Sequence, residues 1–199
     1  MRLAALTGFY VAIVATAQVA ANKIVVMPVL HKPVPAATYL IGIALATVEL
    51  AHWSASDRRE GFRNAQLMIA MGFVASALLA GYLQLTVQME AVVPTQFDEV
   101  LGSTWRIVAG SLAAFAISET IDNMLGARAR GRVPEWSRVI GTNLVSTPLD
   151  SVVFIAIAFG TGSLNLVEGQ FYGKMIATVL IGLPLVYAIR RFLPEPEHA

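Results

Sequence analysis

The segment Ser118–Phe154 reads SETIDNMLGARARGRVPEWSRVIGTNLVSTPLDSVVF. It carries two strings of polar residues, Ser118-Glu119-Asp122 and Asn143-Ser146-Asp150, each within a stretch otherwise apolar enough to cross a bilayer. A short connection with Arg128, Arg130, Arg132 and Arg138 separates them. An acidic residue at the centre of a membrane helix costs about 2.5–3.5 kcal/mol on insertion scales, so acids there mark a functional site by default. The remaining chain reads as the scaffold that brings the two strings face to face.

Composition sets the class. The chain has 199 residues, 56% hydrophobic and 14% charged, where a soluble domain carries about 25% charged residues. So few charges cannot cover a water-facing surface, and the protein is read as an integral membrane protein. A net charge of +1 gives no basis for a nucleic-acid partner. The absence of cysteine excludes disulfides and thiolate-held metals. The length suits one domain, residues 1–199.

Hydrophobic runs of roughly 18 or more residues mark spans. They fall at residues 3–22, 35–52, 62–83, 103–125, a more polar 136–160, and 169–192. The expected fold is all-α, a bundle of six transmembrane helices. Strands are not expected, because the runs are long, do not alternate, and an open sheet edge cannot face lipid. The first run, with Ala17-Gln18-Val19-Ala20-Ala21 as a small-residue zone, has a signal-peptide flavour. Its weak basic start and the renewed apolar character of Ile24–Leu30 favour a retained helix. Pro94 and Gly102 punctuate the third connection, and the tail Pro194–Ala199 reads as frayed.

Orientation follows the basic residues. With a cytoplasmic N-terminus, Arg2, Arg58, Arg59, Arg63, Arg128, Arg130, Arg132, Arg138, Arg190 and Arg191 fall inside. Lys23 and Lys32 fall outside, as does the acidic third connection with Glu90, Asp98 and Glu99. Both termini then lie in the cytoplasm, as six spans require. The chain is read as multi-pass, with the lipid bilayer as its surroundings.

Helical periodicity of about 100° per residue gathers the polar groups. Ser111, Ser118 and Asp122 share one stripe with Thr104, and Glu119 lies about 60° further round. Asn143, Ser146 and Asp150 share another. Thr38, Gly42, Leu45, Glu49 and His52 share a third, and Ala15, Gln18 and Asn22 a fourth. At about 1.5 Å per residue, Glu49, Glu119, Asp122, Asn143 and Ser146 fall at a similar depth toward the inner side, with Asp150 near mid-membrane. A common pocket follows. Pro148 within the fifth run frees a backbone carbonyl, and Pro184 adds a kink in the last. Simpler roles compete: Asn22 as a helix-end cap, Glu49 as a solvated end, Arg106 and Lys174 as snorkelling cations. Trp53, Trp105 and Trp136 read as interfacial anchors. The lone His31 and His52 suggest no metal.

These residues resemble a known family. The runs Trp105-Arg106-Ile107, Ser118–Asp122, Trp136-Ser137-Arg138 and Asn143–Gly160, with Lys174 and Leu183–Tyr187, are similar to the queuosine precursor transporter family, also called vitamin uptake transporter-like. The likeness is weaker at Asn22 and Ala46–Glu49. The resemblance implies a six-helix inner-membrane importer of 7-deazaguanines such as 7-cyano-7-deazaguanine, not an enzyme, with no cofactor. Two departures bear on the substrate: the family tends to Gln where Glu119 stands, and to Asp after Thr where Val48 precedes Glu49.

A 7-deazaguanine is neutral and flat, with two parallel N–H donors on one edge. A carboxylate accepts such a pair and an Asn amide donates to the ring carbonyl. Asp122 or Asp150 is therefore assigned to the donor edge and Asn143 to the carbonyl. Ser146, Glu119, Glu49, Asn22, Arg106 and Lys174 complete the substrate-binding set, and Phe115, Trp136 or Phe154 supply a stacking face. Four interior acids with few interior bases permit proton coupling. The alternatives are a membrane-embedded binding subunit served by separate ATPase partners and an intramembrane enzyme; no hydrolase or phosphate-binding motif is present.

Overall fold

The hydrophobic runs fold as helices, and the second lies at their centre. The computed structural model describes residues 2–28, 30–90, 92, 101, 102 and 104–192. Pro94, Asp98, Glu99, Ser103 and the tail Pro194–Ala199 lie outside them. Helix α1 is Arg2–Ala20, and a 3-10 turn, Ala36–Leu40, leads into α2, Ile41–Trp53. Helix α3 is Arg58–Val87, α4 Thr104–Ala129 and α5 Glu135–Ala158. Helix α6, Leu164–Ala177, continues through a π turn, Thr178–Gly182, into α7, Leu183–Phe192.

Five of these stretches are long and apolar enough to cross a membrane: 3–20, 36–53, 59–87, 136–158 and 165–192. The remaining long helix, α4, has 26 residues, about 39 Å, but Glu119, Asp122 and its hydroxyls dilute its apolar character. The result is an all-α, multi-pass membrane bundle. Large apolar side chains such as Leu78, Leu144, Val152 and Leu180 stand on its outside, as expected where the solvent is hydrocarbon.

Helix α2 is apolar apart from Thr47, Glu49 and His52, and every residue from Ala44 to His52 is buried. A helix apolar over most of its circumference belongs in an interior, and α2 packs against α1, α3, the π turn and α7. Tyr10, Ile13 and Val14 of α1 meet Ala44, Val48 and Ala51 of α2 and Met68 and Ile69 of α3 in the main core. The first run thus packs against α2 and α3 as a helix. On the other side, a Cβ at Gly42 would collide with the Ala177 carbonyl, and one at Gly182 would lie 2.9 Å from the Gly42 carbonyl. Small residues let these backbones touch, which is how helices pack where no hydrophobic effect drives them together.

The connection after α1 departs from expectation. Ile24–Val26 and Pro33–Pro35 form a two-stranded antiparallel ribbon, with Val25 opposite Val34. The β-branched residues favour it. The prolines, which lack a ladder donor, restrict it to two edges, so the objection to strands in lipid applies only to the spans.

Helix α5 is continuous through Pro148. At the other proline the backbone responds differently: the π turn ends directly before Leu183-Pro184. Pro184 cannot donate to the residue one turn back, and the freed register widens there.

Candidate functional site

Helices α4 and α5 form a hairpin whose turn includes Gly131 at φ 72°, a conformation glycine adopts without strain. Within the hairpin the two polar strings meet. The Ser118 hydroxyl donates to Asp150 Oδ1 at 3.2 Å, and the Ser146 hydroxyl donates to Asp122 Oδ1 at 3.3 Å. One turn forward on α4 is one turn back on α5, the register of antiparallel helices. Gly110 extends it, its Cβ position lying 3.2 Å from the Ala158 nitrogen. All four polar residues are buried.

Two buried ion pairs flank this contact. Lys174 of α6, 3% exposed, pairs with Asp150. Arg138 of α5, 6% exposed, grips Glu49 of α2 with both guanidinium nitrogens, Nη1 lying 3.1 Å from Oε1. Two expectations change here. Lys174 does not snorkel to the interface, and Arg138 is not a loop charge but a side chain within α5, buried against α2. A bidentate fork satisfies both carboxylate oxygens at once, so Glu49 is no solvated helix end.

Two cavities share the Asp150–Lys174 pair and Phe115. The inner one is lined also by Leu45, Ser118, Glu119, Asn143, Ser146 and Thr147. The outer one lies among α1, the 3-10 turn, α4, α5 and α6, lined by Gln18, Thr38, Ser111, Phe154 and Gln170 among apolar side chains. Beyond the Glu49–Arg138 pair, a wider recess is bordered by His52, Trp53, Arg130, Arg138 and Arg190. Arg190 also stacks on Trp53, 5.3 Å from the ring centre.

Seven of the sequence-assigned residues thus surround one interior: Asp122, Asp150, Asn143, Ser146, Glu119, Glu49 and Lys174. Asn143 lines the inner cavity while its amide nitrogen donates to the Val139 carbonyl at 2.9 Å. Asn22 does not join them; its amide donates to the Gln18 and Val19 carbonyls and caps the end of α1. Arg106 is exposed and borders neither cavity. Of the stacking candidates, Phe115 and Phe154 line the outer cavity, whereas Trp136 is 55% exposed on the surface. Sequence reasoning passed over Gln170, one helical turn before Lys174, and noted Gln18 only as part of a face. No group of three or more metal-ligating side chains is found among the described residues.

Helices apolar outside and lined with acids, amides and two buried cations inside define a polytopic membrane protein with a polar interior. Residues 54–189 match the family described as "Putative vitamin uptake transporter". That is more than half of the chain, which belongs to this vitamin uptake transporter family. A curated relative from Bacillus subtilis (strain 168), "Probable queuosine precursor transporter", is 30% identical over 114 residues, 53% of this chain. The match spans about half of that relative, 49% of its length. No solved structure matches.

Proposed function

We propose that this chain carries a 7-deazaguanine queuosine precursor, such as 7-cyano-7-deazaguanine, inward across the inner membrane. Residues 1–199 act as one six-helix domain with both termini cytoplasmic, and the substrate path runs through the two cavities that meet at Asp150–Lys174. The observation that carries the reading is this convergence. Four helices that cross lipid at an energetic cost in polar groups direct those groups at one another, between an aromatic-walled cavity and an acid-lined one. The family and the name of the Bacillus relative support a solute of this type.

In this conformation the cavities offer about 50 and 20 Å³ to the centre of a water-sized sphere, room for a few waters but not for a bicyclic base. Carriage therefore requires the helices to part, as alternating access demands. Asp150, Asn143, Ser146 and Glu119 line the inner cavity, with Asp122 beside them, bonded to Ser146. Four acids against Lys174 and Arg138 leave excess carboxyl groups in the interior, which favours coupling to protons.

The test is rescue of a cell unable to make the precursor, supplied with the base at low concentration. The parent protein restores the modified nucleoside, and Asp150→Ala and Asp122→Ala abolish the effect. Rescue by both variants at parental rates would refute the assignment. Uptake into vesicles with an imposed proton gradient checks the coupling: uptake indifferent to the gradient makes the protein a facilitator.

A further inference from the structure

The outer cavity holds an unusual set of atoms. Gln18 Oε1, Gln170 Oε1 and the Thr38 hydroxyl line it, are buried, and have no hydrogen-bond partner. The residues are 2%, 5% and 1% exposed. Buried polar atoms in native proteins are nearly always paired, and three bordering one cavity call for a common partner. The Gln18 amide is also oriented: its Nε2 donates to Ser111 Oγ at 2.9 Å and to Ser76 Oγ at 3.3 Å. Those serines anchor the nitrogen end and leave the oxygen as the free acceptor. The remaining wall is apolar, with Phe115, Phe154, Ile13 and Val14. Apolar walls with a few placed polar groups are the general form of a small-molecule site.

We propose that the outer cavity is the recognition subsite for the hydrogen-bond-donating edge of a neutral, flat heterocycle, with Gln18 and Gln170 as the residues that read its N–H groups. The inference rests on the carrier reading above but moves base recognition from the carboxylates to two amides. The carboxylates of Asp150 and Glu49 are already matched by Lys174 and Arg138. An amide oxygen accepts an N–H without carrying charge, so it recognises a neutral base and offers nothing to an anion. Phe115 and Phe154 border the ring faces, and Lys174 at the cavity floor has further N–H groups for a ring carbonyl.

Calorimetric titration of the full chain in lipid nanodiscs tests this. The probes are 7-cyano-7-deazaguanine, its analogue lacking the 2-amino group, and guanine. A site built to accept a particular N–H rejects the ligand without it by about tenfold or more. The parent protein shows that preference. Of Gln18→Leu and Gln170→Leu, the one that removes the acceptor of the 2-amino group abolishes it, weakening the amino-bearing base about tenfold while leaving the analogue unchanged, which also shows that variant is folded; the other, which removes the acceptor of the ring N–H, weakens both ligands. The matching Gln→Glu variant, which keeps an acceptor, retains the preference. Two leucine variants that both leave the affinities unmoved, or that both weaken the two ligands equally, overturn this inference and leave the carrier reading standing. Binding of guanine but not of the deazapurines, with the same dependence on the glutamines, supports the subsite and retires the deazapurine assignment. A parent protein that binds none of the three overturns both.

Discussion

Removing the guanidinium of Arg138 tests the architecture most directly. Arg138 and Glu49 are 6% and 3% exposed, and two donor nitrogens face two carboxylate oxygens. In Arg138→Gln the Glu49 carboxylate remains buried on the central helix with its ionic partner gone. Breaking a buried pair from one side costs about 3–5 kcal/mol, because the stranded charge is neither solvated nor matched. Insertion scales point the same way, at about 2.5–3.5 kcal/mol for an acid at a membrane helix centre. For a chain of this length each kcal/mol moves the melting temperature by about 2–4 °C, so the variant should melt about 6–20 °C below the parent. Glu49→Gln should lose less, since a long arginine can turn toward the recess beside His52 and Arg190. The double variant Glu49→Gln/Arg138→Gln buries two amides able to bond each other, and should recover at least about 2 kcal/mol of the summed single losses. Thermal unfolding in detergent, followed by tryptophan fluorescence, reads all four proteins. Additive single losses, or an Arg138→Gln loss below about 1 kcal/mol, would show that the pair is solvated and that α2 is not buried as described.

Gly42→Val should be poorly folded, because its Cβ would collide with the Ala177 carbonyl and backbone cannot yield cheaply; overpacking of this kind costs about 1–3 kcal/mol or more. Gly81→Ala, where a Cβ meets nothing within 4 Å, serves as the control and should express and melt like the parent. At the start of α3 the Asp57 carboxylate accepts from the Glu60 backbone nitrogen at 2.7 Å, and that bond holds its pKa below the usual 3.8. Its capping contribution is therefore complete above 3.8 and lost as the pH falls through the lower folded value. Carboxyl NMR should place the Asp57 midpoint below 3.8, and Asp57→Ala should lower amide-exchange protection at Glu60 near neutral pH.

Much of this protein is legible without coordinates. The length and apolarity of the runs dictate helices in lipid, because no other open structure satisfies its backbone there. The spacing of Ser118, Asp122, Ser146 and Asp150 is enough to predict that two helices present matching polar faces, since helical periodicity is a local property. Partnership between helices is different. Arg138 stands at the start of the fifth run, close to Arg128, Arg130 and Arg132 in sequence, and nothing local gives it a partner; only the packing of α5 against α2 places it on Glu49. Lys174 resembles a snorkelling cation until α6 is docked beside α5. Gln18 and Gln170 are 152 residues apart, and one cavity joins them only when α1 and α6 are both brought to its wall. Periodicity and hydropathy are properties of neighbours along the chain, so the sequence by itself determined the class, the helices and their polar faces. Charge matching and cavity shape depend on which faces meet, and those the tertiary structure alone decided.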